Sequence, residues 1–109
     1  MWQRAMELAE AVYSHTATFP KDEIYGLTSQ LRRASVSIAS NIAEGRARAT
    51  DRDFRQFLNI ALGSTYEVQT QLLLAKRLKI GDEAMRKKAE SLCIETSKML
   101  GAFLQSLKS

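Results

Sequence analysis

Apolar residues recur at three- and four-residue steps through most of the chain, the spacing that gathers side chains on one face of an α-helix. Between Trp2 and about Thr16 they fall at Trp2, Ala5, Met6, Ala9, Val12 and Tyr13, which predicts a first helix. Pro20 lacks an amide proton and biases Phe19 away from helical angles, so the chain turns at Phe19–Asp22. A second helix starts between Asp22 and Thr28, both able to cap it, and carries the stripe Leu27, Leu31, Ala34, Ile38 and Ile42, with Gly45 fitting its end. Val36, Ala39 and Ala43 lie off that stripe, and the small side chains of Ala34, Ser35, Ser37 and Ser40 leave room for close approach by a neighbour. Thr50 is the expected N-cap of a third helix, with Asp51 and Asp53 favourably placed in its first turn. Its stripe is Phe54, Phe57, Leu58, Ala61, Thr65, Val68, Leu72 and Ala75; Ile60, Leu62, Leu73 and Leu78 widen the apolar arc beyond what a four-helix core requires. Gly81–Asp82 stops that helix and caps a fourth. There Met85, Ala89, Leu92, Thr96, Met99 and Phe103 form a seam beside a second line of Cys93, Leu100, Leu104 and Leu107. The expected fold is all-α, an antiparallel up-down-up-down four-helix bundle with helices near 1–17, 24–46, 51–79 and 82–107, in one domain spanning 1–109.

Composition narrows the function classes. One proline and five glycines are sparse punctuation, in keeping with long helices. With 45% hydrophobic and 26% charged residues the chain reads as globular, and no apolar run approaches the ~18 residues of a membrane span. The charged N-terminus lacks the apolar core of a signal peptide, so a soluble cytoplasmic protein is expected. Cys93 is the single cysteine and His15 the single histidine, which leaves no intrachain disulfide and no cluster for a metal or cofactor. Cys93 reads as a small core hydrophobe and His15 as a surface or cap residue. Phosphate-binding loops and hydrolase motifs are missing, and no enzymatic activity is expected.

Net charge of +4 favours acidic partners. Arg46, Arg48, Arg52 and Arg55 surround the loop between the second and third helices, although Asp51 and Asp53 weaken that patch. Lys76, Arg77 and Lys79, with Arg86, Lys87 and Lys88, form another around the last loop. Both are candidate nucleic-acid contacts, against the alternative of solvated helix ends. Arg32 and Arg33 can bind phosphate or form salt bridges between subunits, and adjacency places them about 100° apart on a helix, so they do not share one task. Asn41 and Glu44 are three residues apart; Glu44 lacks a partner for catalysis and is expected to pair with Arg32, Arg33 or another protomer's arginine. Glu67, alone in the apolar middle of the third helix, is a second candidate for that pairing.

Several segments occur together in order: Trp2-Gln3, Phe19-Pro20, Leu27-Thr28-Ser29-Gln30-Leu31-Arg32-Arg33, Asn41-Ile42-Ala43-Glu44-Gly45 and Phe57-Leu58-Asn59-Ile60-Ala61-Leu62-Gly63-Ser64. Over nearly its whole length the chain resembles the four-helix-bundle family of 23S ribosomal RNA intervening sequences. It is also similar to the accessory variability protein of diversity-generating retroelements. The resemblance implies a bacterial up-down bundle assembling as a homopentamer, with RNA, DNA or a reverse-transcriptase-like protein as partner. Two departures are the short stretch ahead of Trp2 and Ala39, where many members carry proline; a less kinked second helix follows. Together these readings assign Arg32, Arg33, Ser37, Asn41, Glu44, Gly45 and Glu67 to structure and assembly. They leave open a purely structural protein–protein module without nucleic-acid contact.

Overall fold

The computed structural model describes residues 1–107. Four helices, α1 (Trp2–Thr16), α2 (Leu27–Arg46), α3 (Asp51–Leu78) and α4 (Glu83–Ser106), follow one another, with one 3₁₀ turn at Lys21–Glu23 before α2. Each helix packs against its neighbours in sequence, and α1 closes against α4. The 28 residues of α3, rising 1.5 Å each, make a rod of about 42 Å, which sets the 46 Å long axis of the molecule.

The stripe predicted for α2, Leu27, Leu31, Ala34, Ile38 and Ile42, is buried, and so is that of α3 from Leu58 onward, with Ala61, Thr65, Val68, Leu72 and Ala75, whereas its first two members, Phe54 and Phe57, are only partly buried at the end of the bundle. On α1 the predicted face is partly wrong. Two stripes interleave there, and the bundle buries Ala5, Leu8, Ala11, Val12 and His15, leaving Trp2, Met6 and Tyr13 about two-fifths exposed. On α4, Ala89, Cys93, Thr96 and Leu100 are buried, whereas Met85 and Phe103 remain on the surface.

Helix ends follow local chemistry. Thr50 accepts from the Asp53 amide at 3.2 Å and Asp82 accepts from the Met85 amide at 2.9 Å, as N-caps should. The second helix begins at Leu27, late within the expected window from Asp22 to Thr28, and its N-cap is Gly26 rather than either of those residues. The 3₁₀ turn after Pro20 uses the intervening chain, and the Leu27 amide donates to the Glu23 carboxylate at 3.3 Å. Gly45 falls in the last turn of α2, as expected, whereas Gly81 does not supply the stop expected of it. Gly45 lies inside α2 and is buried; a Cβ there would stand 2.8 Å from the Phe54 ring and 3.1 Å from the Phe57 Cβ, so it permits close approach of α3. The left-handed residue ending α3 is Lys79 (φ 56°), not Gly81, and the Ile80 amide then donates to the Ala75 carbonyl at 2.9 Å. Gly81, at φ 83°, instead lies where a side chain would collide with Phe19 and His15.

Candidate functional site

The polar residues of α2 divide between its two flanks. Toward α1, Arg32 donates through Nε to Thr16 Oγ1 at 2.8 Å and its guanidinium lies 4.6 Å from the Tyr13 ring centre. Among the described residues it forms no salt bridge, so within one chain Arg32 is a packing group between helices. Toward α3, Asn41 Nδ2 donates to the Ser37 carbonyl at 2.8 Å and to Ser37 Oγ at 3.0 Å, and Ser64 donates to the same Ser37 oxygen at 3.1 Å. This chain of short polar side chains links α2 to α3 where small residues allow the backbones together. Asn41 is thus bonded back along its own helix rather than to Glu44.

Beside that link is a cleft of about 400 Å³ lined by Gln30, Arg33, Ser37, Glu67 and Gln71. Arg33 and Glu67 are both exposed, one on each helix, with no bond between them among the described contacts. The buried Gln71 Oε1 has no partner. Steps of seven and four residues place Ile60, Glu67, Leu74 and Leu78 in one row on this flank of α3, and the three apolar members are exposed, at 48%, 46% and 55%. Tyr66 and Leu73 form another exposed row about a third of a turn away. The α1–α4 flank is different in kind: Arg4 bridges Glu95 at 2.8 Å and Glu7 at 2.6 Å.

At the α2–α3 loop, Glu44 pairs with Arg48, at a long 3.5 Å, rather than with Arg32 or Arg33. Arg48 also lies over Phe57, 4.6 Å from its ring centre. Arg46 and Arg52 are exposed and form no salt bridge among the described residues. Arg55 is less available than its neighbours: it is half-buried and donates to the Leu107 carbonyl at 2.9 Å, closing the end of α4. Arg46 and Arg48 edge a cleft of about 280 Å³ whose walls include Gly45, Asp51, Phe54 and Phe103.

At the other end, Lys76, Arg77 and Lys79 are exposed, and Lys87 pairs with Glu83 at 3.2 Å. Arg86 does not belong to that basic surface. It is 8% exposed, next to Glu90 at 3.6 Å. His15 is likewise fully buried rather than a surface or cap residue, edge-on to Phe19 at 4.8 Å, with neither ring nitrogen partnered. Burial first, and the Arg86 charge second, lower its pKa, while Asp82 opposes them. The signal was present: Ala5, Leu8, Val12 and His15 continue one helical step pattern. Cys93 is buried and donates to the Thr65 carbonyl at 3.3 Å; burial pushes its thiol up to about 12, so the nucleophilic thiolate is suppressed. Among the described residues no group of three His, Cys, Asp or Glu side chains is placed to hold a metal, and no helix is long and apolar enough to cross a membrane.

The model of the 23S rRNA-intervening sequence protein family matches residues 1–102. The chain belongs to that family. Among solved structures it is similar to a protein of unknown function from the S23 ribosomal protein family of Bacteroides thetaiotaomicron, with a TM-score of 0.83 and 23% identity over 94% of this chain and 96% of that one. At that identity the likeness bears on the fold, which the family member shares. No curated protein matches the chain.

Proposed function

We propose that this family member is a non-enzymatic helical module that assembles with copies of itself into a closed ring, a pentamer by the family resemblance, and engages nucleic acid through its basic ends. The observation that carries assembly is the exposed row Ile60, Leu74 and Leu78 beside the Arg33–Glu67 cleft. Apolar surface removed from water contributes roughly 25 cal/mol per Å², and a helix flank combining such a row with opposite charges suits a second protein surface. Arg33, Ser37, Asn41 and Glu67 would be covered there. Native mass spectrometry at micromolar concentration should give a closed oligomer; a stable monomer overturns the assembly.

The nucleic-acid half is supported by Arg46, Arg52, Lys76, Arg77 and Lys79, which form no salt bridge among the described residues. Repeating them around a ring multiplies the attraction for a polyanion. Binding to a 23S rRNA fragment should be measurable at low salt and fall steeply as salt rises, and binding without salt dependence would remove the electrostatic reading. The alternative is a structural module whose partner is a protein, such as a reverse-transcriptase-like enzyme. Under that reading, replacing Arg46, Arg48 and Arg52 by alanine leaves polyanion binding unchanged.

A further inference from the structure

We propose that the cleft at the α2–α3 loop is a nucleotide pocket for single-stranded nucleic acid, with a base packed against Phe103 and Phe54 and the adjoining phosphate held by Arg46 and Arg48. The inference rests on the nucleic-acid half of the proposed function and names the strand form that this end of the bundle takes. The cleft, about 280 Å³, combines two features that surface arginines alone do not provide. Phe54 and Phe103 meet edge to face, with ring centres 5.6 Å apart and planes at 69°, and Phe103 remains 36% exposed, so an aromatic surface is offered at the cleft wall. Arg46 stands at the same wall without a salt bridge among the described residues, and Arg48 is held only by a 3.5 Å exposed contact to Glu44 and by Phe57.

Charge and shape together select the strand. Asp51 lines the cleft and offsets part of the arginine charge, so phosphate contacts are weakened and a base contact must contribute. Bases in a duplex are already stacked on one another and present only their edges, whereas an unpaired base exposes a face that aromatic and guanidinium groups stack on. A cleft of this volume admits a base and excludes a duplex. Gly45 matters to the geometry because any side chain there would displace the Phe54 ring that forms one wall.

The test is fluorescence anisotropy on the full chain with three labelled probes of equal length: oligothymidylate, an abasic deoxyribose-phosphate strand and a blunt DNA duplex. Oligothymidylate should bind about tenfold more tightly than either of the others, the range that one stacked base provides. Phe103→Ala should reduce it to the abasic level, and Phe103→Trp should preserve the preference. Arg46→Gln should weaken oligothymidylate and abasic strand alike, and Phe103→Leu, which keeps apolar volume but offers no aromatic face, should lose the preference for oligothymidylate, which keeps the pocket testable if the Phe103→Ala chain is poorly folded by circular dichroism. Equal binding of all three probes, or a preference that survives Phe103→Ala, overturns the pocket while leaving charge-driven binding in place. Binding of none of them at low salt removes the nucleic-acid reading itself and the pocket with it.

Discussion

Single positions carry opposite expectations for the same substitution. Gly63 and Gly101 lie within helices with open space where a Cβ would go, so Gly63→Ala and Gly101→Ala should each stabilise the fold by about 0.5–1 kcal/mol in chemical denaturation. Gly45→Ala forces the Phe54 ring and the α3 backbone outward, and overpacking of about 1–3 kcal/mol should exceed that gain. His15 adds a pH dependence. Its folded pKa is depressed below the ordinary 6.5, so the unfolded chain binds more protons as pH falls, and stability present above about pH 6.5 is lost toward the folded pKa. Thermal melts should show a drop between pH 7 and 5 that His15→Leu largely removes; an unchanged slope in that variant would assign the acid sensitivity elsewhere. Residue identity alone did not place His15 in the core, because a histidine is as common on surfaces. The decisive fact was which of two interleaved stripes on α1 faces inward, and that is set by α2 and α4.

For the helices themselves, the ends are where local chemistry can be adjusted. Lys79 holds a left-handed conformation that glycine adopts without strain, so Lys79→Gly should raise stability by about 0.5–1 kcal/mol, whereas Thr50→Ala, which removes an N-cap, should lower it by about 1 kcal/mol. Guanidinium denaturation of the two variants measures both. The elements were legible in sequence because α2 and α3 carry continuous stripes and α3 and α4 have capping side chains. The start of α2 was not, since Gly26 offers no side chain and the capping carboxylate of Glu23 comes from the preceding turn. The arginine pairings were equally hidden: Arg32 meets Tyr13 and Thr16 across an interface, and Arg55 meets the end of α4 fifty-two positions away in the chain.

At the scale of the whole molecule, the flanks are unequal. The α1–α4 flank is charged and internally paired, while the α2–α3 flank exposes leucine and isoleucine beside an open polar cleft. Leu74→Lys combined with Leu78→Lys should shift the oligomer to smaller species in native mass spectrometry, whereas Arg4→Ala should not. Assembly unchanged in the α3 variant would move the contact surface away from α3, and its loss with Arg4→Ala would place contacts on the α1–α4 flank. Three of the four helix pairings join neighbours in sequence, and the α1–α4 pairing alone spans the chain. Closing that long loop costs entropy that hairpin contacts do not, so the folding transition state should contain the α2–α3 hairpin and lack the seam. In stopped-flow kinetics, Ile38→Val should therefore slow refolding, while Arg4→Ala, which removes the Glu95 bridge across the seam, should leave refolding unchanged and act only on unfolding, making the α1–α4 seam the last contact to form and the first to open.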